Sequence, residues 1–377
     1  MDARQEELRR RLGELGFDDV RFARLSPGQD PARLGSWLEA GHHADMDWME
    51  RTKEKRGDPG LVLPGARSAV LLGVSYFGDE AREPGLPAWA RYSLNADYHD
   101  TVKRGLERAG AVIEEVMGAG PSDYRYYVDT GPVLERAWSA RAGLGFVGKN
   151  AMLISRRHGN WLFLAAILTV LDLEGDPPVR DRGDPGAVGL LCGSCTRCLS
   201  ACPTDAFPRP GVVDARRCIS YHTIENRGVI PRAFRQAIGN RIYGCDTCLE
   251  VCPWNRFARK GRGLLLSTRG DIARIPLREI LELTPERFAE VFRGTAVKRL
   301  KLRGLLRNAC IVAGNSGDRG LLEPLLALLR HEFPLVRAHA VWAVARLGGL
   351  DPLRESLPGE SDPAVLAEYE QEGLRAS

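Results

Sequence analysis

Eight of the nine cysteines of this chain fall between Cys192 and Cys252, and their spacing constrains the fold more than any other feature. The first run is Cys192-x2-Cys195-x2-Cys198-x3-Cys202-Pro203; the second is a separated Cys218 followed by Cys245-x2-Cys248-x3-Cys252-Pro253. Disulfides are not expected in a reducing cytoplasm, so the two sets of four are read as metal ligands. Each of the four irons of an iron–sulfur cluster requires a soft terminal thiolate beside its bridging sulfides. Two zinc ions would also accept four thiolates each, but the shared x3-Cys-Pro ending of both runs would then be accidental. Cys310 stands apart on an apolar helical stripe and reads as a small buried hydrophobe rather than a nucleophile.

Around this segment the chain has 377 residues, enough for two or three domains. Hydrophobic residues at 44% and charged residues at 27% exclude a disordered chain, a collagen and a secreted cysteine scaffold. The segment from Met1 to Ala23 is interrupted by charges where a secretory signal is apolar, and the apolar run Trp161–Leu171 is too short to span a bilayer. The expectation is a cytoplasmic protein with no membrane partner. Net charge is only +4, but Arg293–Arg346 holds 10 basic and 3 acidic residues, whereas Asp351–Ser377 holds 2 basic and 7 acidic ones. A positive surface ahead of a negative end suits an anionic partner such as a nucleic acid, although the same excess would also solvate a helical face.

Residues 1–189 read as a mixed α/β domain. Gln5–Leu15 and Tyr98–Met117 carry helical spacing, Ser68–Phe77, Tyr124–Val128 and Trp161–Leu171 favour strands, and a helix is expected over Val133–Ala142. The stretch Gly143-Leu144-Gly145-Phe146-Val147-Gly148-Lys149-Asn150 has two readings. It is a tight crossing loop, or its glycines let backbone approach a large cofactor while Lys149 and Asn150 offer polar contacts. It matches neither a dinucleotide fingerprint nor a phosphate loop. A linker through Glu174–Pro178 and Asp184–Gly186 leads to a cysteine domain at 190–260, and 261–377 is mainly helical. In that last part Leu306-Arg307-Asn308-Ala309 and Val336-Arg337-Ala338-His339 recur 30 residues apart, as in two degenerate helical-hairpin repeats.

The four-plus-four cysteine order resembles bacterial dicluster ferredoxins, in which the fourth cysteine of each run serves the other cluster. That resemblance assigns Cys192, Cys195, Cys198 and Cys252 to one 4Fe-4S cluster, and Cys202, Cys218, Cys245 and Cys248 to a second. Over nearly the complete chain the sequence also resembles the epoxyqueuosine reductases, cobalamin-dependent iron–sulfur enzymes of tRNA modification. The resemblance is carried by Arg56, Pro64-Gly65-Ala66-Arg67, Asp97-Tyr98-His99, Val128-Asp129-Thr130-Gly131-Pro132-Val133-Leu134-Glu135-Arg136, Gly148-Lys149-Asn150, the cysteines and the terminal repeats, in that order. It implies an α/β N-terminal domain that binds cobalamin and carries catalysis, a ferredoxin-like domain with two 4Fe-4S clusters, and C-terminal all-α HEAT-like repeats that bind tRNA. The implied reaction is reduction of epoxyqueuosine to queuosine at the tRNA wobble position, fed by a low-potential donor such as flavodoxin or ferredoxin. Two readings compete: a noncatalytic dicluster electron-transfer protein, and a corrinoid reductive dehalogenase.

The resemblance makes Asp129 the proton donor, for which a carboxylic acid with a raised pKa is useful; locally, Asp129 would otherwise be a turn residue ahead of Gly131 and Pro132. Glu135 is read as a support of Arg136 or a cap of the following helix. His42, His43 and His99 are read as structural or polar-contact residues. Cofactor contacts are expected from Arg56, Asp129, Gly148, Lys149, Asn150, Ser220 and Asp246, with Arg56 also suited to RNA. RNA contacts are expected from Tyr221, His222, Arg227, Lys298, Arg299, Lys301, Arg303 and Arg337. A monomer is expected, since no coiled coil or assembly segment is visible.

Overall fold

A computed structural model describes residues 2–26, 28–78, 83–180 and 187–375. Asp184–Gly186 of the expected linker lies outside the described residues. The chain forms two compact units interleaved in sequence: residues 1–79, 95–216 and 246–267 make the first, and residues 80–94, 217–245 and 268–377 the second. No described helix is long and apolar enough to cross a membrane.

The first unit is built on a four-stranded antiparallel sheet of β1 (Asp19–Arg24), β2 (Ser68–Ser75), β3 (Tyr124–Val128) and β4 (Leu162–Thr169), in the spatial order β1-β2-β4-β3. The register aligns Phe22, Val70, Ile167 and Tyr126 in one row. Every residue of β2 is buried, because helices cover both faces of the sheet. Helix α1 (Ala3–Glu14) packs against α2 (Tyr98–Met117), and their apolar stripes bury Leu8, Leu12, Val102, Leu106, Ala109 and Ile113. On the opposite side α3 (Glu135–Arg141) brings Trp138 and Ala140 into a cluster with Leu63, Leu71, Val133, Ala166 and Leu168. Periodicity located these elements within a few residues, whereas β1 was not anticipated.

Local chemistry fixes the ends that matter for function. The Asp97 carboxylate accepts from the His99 backbone N–H and caps α2, while Gly118 closes the helix in the left-handed region. Asp97-Tyr98-His99 is thereby pinned at the helix start. Strand β3 ends at Val128, and the next residue, Asp129, turns sharply away.

In the second unit, helices α4 (Lys301–Ser316), α5 (Pro334–Arg346) and α6 (Pro363–Gln371) share a core containing Leu305, Ile311, Val341, Val344, Val365 and Tyr369. The two repeat motifs of the sequence lie in α4 and α5. Cys310 is fully buried here, and burial pushes its thiol well above the usual range. The unit also encloses two arginines. Arg307 donates to the carbonyls of His222, Asn226 and Gly228, and Arg235 forms a fork with Glu368 at 2.9 and 2.5 Å. Buried guanidinium groups survive only when their donors are met, so these side chains tie the segment around 222–235 to the repeat helices.

Candidate active site and cluster-binding loops

Cys192, Cys195, Cys198 and Cys252 line one pocket of the first unit, together with Ile154, Pro253 and Trp254. The first three follow tight turns, with Cys195 N bonded to Cys192 O at 3.1 Å, and Cys252 closes the short helix Thr247–Glu250 through a bond from its N–H to Leu249 O. Burial pushes the Cys192 and Cys198 thiols up, and neighbouring cysteines add to the effect. Lys149 acts the other way on Cys192. Four soft donors converging where neither burial nor mutual repulsion favours bare thiolates fit a cationic iron–sulfur group.

The Gly148-Lys149-Asn150 segment is the frame of this pocket. Lys149 Nζ donates to Gly193 O at 2.7 Å and Cys195 O at 3.0 Å. Asn150 Nδ2 donates to Asn160 Oδ1 at 2.9 Å and to Cys248 O at 3.3 Å, and Asn160 Nδ2 donates in turn to Asn255 Oδ1. A Cβ at Gly148 would stand 2.4 Å from Ile154 Cδ1 and 2.6 Å from Asn150 Oδ1, so a larger residue would displace the frame. Of the remaining ligands expected from the motif, Cys202 Sγ accepts from Ala206 N at 3.3 Å, and Cys248 lies on the Thr247–Glu250 helix. Cys218 and Cys245 belong to the second unit, at the start of the helix Ile219–Ile224 and just past the strand Arg241–Tyr243.

Asp129 lies beyond the end of β3 with φ +58°, and Thr130 N bonds across it to Val128 O at 2.6 Å. Such a three-residue turn is strained for a non-glycine residue, by about 1–3 kcal/mol. The following Gly131 is close to Tyr127, where a Cβ would stand 2.3 Å from the ring. Arg56 Nη1 donates to Val133 O at 3.0 Å and its Nε to Thr52 Oγ1 at 2.9 Å. Arg56 therefore holds the backbone of the segment that carries Asp129.

The Asp129 carboxylate is 60% exposed, yet its Oδ2 accepts from Tyr98 Oη at 2.6 Å and faces His99 Nε2 at 3.5 Å. His99 Nδ1 meets Asp97 Oδ1 at 2.8 Å. Crowding by protein works to raise the Asp129 pKa, but His99 and Tyr98 outweigh it and hold it at about 2. Crowding works to lower that of His99, and the two carboxylates outweigh it and carry it to about 9. The expected raised pKa of Asp129 is thus reversed, because a charged imidazole and a phenol stabilise its ionised form. The raised carboxyl is Glu135, pushed to about 7 by burial, with Asp129 adding to the effect. Its Oε1 is buried without a hydrogen-bond partner.

Comparison with known proteins decides the family. The profile of epoxyqueuosine reductase QueG matches residues 56–130, which begin at Arg56 and end just past Asp129. Those of the 4Fe-4S double cluster binding domain and of HEAT repeats match residues 191–255 and 303–371. The epoxyqueuosine reductase of Gloeobacter violaceus is 40% identical over 324 residues, covering 83% of this chain and 96% of its own, and that of Aliivibrio fischeri is 36% identical over 340 residues, covering 88% of each. This chain belongs to the epoxyqueuosine reductase family. The crystal structure of a selenomethionine-labelled epoxyqueuosine reductase superposes with TM-score 0.86 at 30% identity, covering 98% of this chain and 97% of that one. A second, with an epoxyqueuosine-modified tRNA-Tyr stem loop, gives 0.85 over the same shares of the two chains. The family, the mixed α/β architecture, the dicluster domain and the HEAT repeats are as the sequence implied.

Among the RNA candidates of this epoxyqueuosine reductase, Arg227, Lys298, Arg299 and Lys301 are exposed on the second unit. Arg299 pairs with Glu225 at 3.0 Å, and Arg303 lies over the Phe333 ring, half-buried. Two candidates need correction. His222 is 3% exposed and packs against Phe234, so its ring presents no face to RNA. Arg337 forms a fork with Glu360 at 2.7 and 2.9 Å and donates again to His331 O, which spends its guanidinium on the repeat fold. Tyr221 and Ser220 are half-buried on the helix Ile219–Ile224, and Asp246 is buried at the start of the helix Thr247–Glu250. His99 makes the polar contacts expected of it, but sequence reasoning did not name Asp97 and Asp129 as its partners. The signal was an aspartate two residues earlier at a helix start, the usual capping pattern.

Proposed function

We propose that this chain reduces epoxyqueuosine to queuosine at the wobble position of tRNA. The observation that carries the reading is an exposed Asp129, fixed in a strained turn by Tyr98, His99 and Arg56, within a chain whose family is established. Removing the epoxide oxygen as water takes two electrons and two protons and leaves a carbon–carbon double bond. The protein must therefore deliver protons to a departing oxygen, and a carboxyl group reached by solvent and substrate alike is placed to do so. A relative from Bacillus subtilis has been seen with its catalytic loop swung out of the active site; a single strained turn carrying Asp129 is suited to such movement.

Two 4Fe-4S clusters supply electrons, one held by Cys192, Cys195, Cys198 and Cys252 and the other by Cys202, Cys218, Cys245 and Cys248. Cobalamin, when bound, supplies a low-potential cobalt centre for two-electron reduction. The unpartnered Glu135 Oε1 fits a cofactor whose rim carries amide N–H donors, and Arg56, Asn150 and Asp246 are the further residues proposed around it. Exposed Arg227, Lys298, Arg299 and Lys301 are proposed to meet tRNA phosphates. The proposed functional division assigns 1–189 to catalysis, 190–260 to electron relay and 261–377 to tRNA, bounds that the interleaved compact units do not follow. The donor is a flavodoxin or ferredoxin, and the enzyme works as a cytoplasmic monomer.

The test is anaerobic incubation of the reconstituted protein with epoxyqueuosine-containing tRNA, cobalamin and a low-potential reductant, followed by nucleoside mass analysis. Loss of one oxygen from the modified base is expected; iron–sulfur protein that leaves the base unchanged overturns the reading. Asp129→Asn should keep both clusters and tRNA affinity while losing product, because an amide retains the shape but not the acid. Wild-type rates in that variant would remove Asp129 from the chemistry.

A further inference from the structure

We propose that His99 holds, as an imidazolium, the proton that Asp129 delivers to the leaving oxygen. This rests on the reading of the chain as an epoxyqueuosine reductase and names the residue behind its acid. Each ring nitrogen of His99 faces a carboxylate: Nδ1 meets Asp97 Oδ1 at 2.8 Å, and Nε2 faces Asp129 Oδ2 at 3.5 Å. A neutral imidazole has one N–H and can satisfy only one of them, whereas the doubly protonated ring satisfies both. The ring is not free to turn away. Asp97 is itself fixed by capping α2 through the His99 backbone N–H, and the Tyr98 ring lies 4.1 Å from that of His99 and stacks on Phe163 at 4.2 Å.

The charges around the pair divide the labour. Tyr98 and His99 both address Oδ2 of Asp129, and Arg136 and Arg56 also act on this end of the site, with Glu135 opposing them. Under these influences Asp129 rests ionised and has no proton of its own to give. His99 is 23% exposed and Asp129 60%, so the proton is stored inside and used outside. As the epoxide C–O bond breaks, a proton passes from His99 Nε2 through Asp129 to the oxygen. Water reprotonates the imidazole, a second passage completes the water product, and the two electrons are those of the reduction itself. His99 touches Asp129 rather than substrate, which makes it a positioning and proton-holding residue.

Two measurements test this. In oxidised, cluster-loaded full-length protein, histidine NMR with His99→Gln as the assignment control should place the His99 midpoint at least one pH unit above the ordinary 6.5; a smaller displacement overturns the proposal. In single turnovers with prereduced, cobalamin-loaded enzyme, the wild-type rate should fall as pH rises through about 9, where the imidazolium is lost. His99→Gln should be slower by roughly ten- to a hundredfold at neutral pH and lack that alkaline limb, with iron content and tRNA affinity unchanged. Asp97→Asn keeps a good helix cap and should move both the midpoint and the limb to lower pH. A His99→Gln enzyme with wild-type rate and limb, or an Asp97→Asn enzyme with an unmoved midpoint, overturns it. Wild-type enzyme that removes no oxygen would instead defeat the parent reading, while the NMR midpoint still decides the charge on His99.

Discussion

Lys149→Met isolates what the glycine-rich segment contributes. Methionine keeps most of the aliphatic stem but removes two charge-assisted hydrogen bonds, to Gly193 O at 2.7 Å and to Cys195 O at 3.0 Å. Bonds of this kind are worth about 1.5–3 kcal/mol each. Lys149 is half-buried and its bond to Gly193 is exposed, so the lower figure applies and the pair contributes about 3 kcal/mol. That corresponds to roughly a hundredfold in the opening equilibrium of the 192–198 loop. Losing the ammonium also removes a positive charge beside Cys192 and makes the reduced cluster harder to form, lowering its midpoint potential. The assay is anaerobic iron release to a chelator, followed by visible absorbance. Wild-type protein should lose its clusters slowly; in the variant half of the iron should leave about a hundredfold faster, by the opening equilibrium above, and the other half at the wild-type rate. Unchanged kinetics would refute the clamp, and equal acceleration of both halves would show general destabilisation instead.

Three further outcomes follow from the geometry. The folded state holds the Glu135 proton up to about pH 7 while the unfolded chain releases it near 4.5, so this group's contribution to stability should decline as pH rises from 4.5 to 7; Glu135→Gln removes this loss and should be ahead by about 3 kcal/mol at pH 8 and level at pH 4 in urea denaturation. Lys298→Glu with Lys301→Glu should weaken binding of a tRNA anticodon stem loop and flatten its salt dependence, by about 0.7–0.9 in log–log slope for each phosphate that is no longer neutralised. Arg337→Gln should leave that slope alone and cost about 2 kcal/mol of stability, because Glu360, 7% exposed, loses its fork.

The parts of the site that were legible in the sequence are those in which local spacing is itself the chemistry. The thiol run at 192–198 must place its ligands within one loop, so Cys-x2-Cys-x2-Cys states its function in one dimension, and Cys252 joins the same pocket as the motif resemblance implied. Tyr98–Met117 was readable for the same reason, since helical period and a glycine stop are short-range properties. Lys149 was legible as a polar residue in a special loop, but the choice between cofactor and protein as its partner depends on carbonyls more than 40 residues away. Arg337 and His222 looked like nucleic-acid contacts because basic and aromatic character is visible in sequence, whereas burial and the position of Glu360 are not.

By itself, then, the sequence pointed to the thiols gathered at 192, 195, 198 and 252, the helix and strand periods and the family. All are encoded by neighbours along the chain or by ordered motifs. Only the tertiary structure decided the protonation pattern around Asp129. A pKa is set by whatever charges and solvent a fold brings within a few ångströms, and here α2 carries Asp97, Tyr98 and His99 to the end of β3, some thirty residues on. The same aspartate that reads in isolation as an acid in a turn becomes, beside that helix start, an ionised partner of a charged histidine.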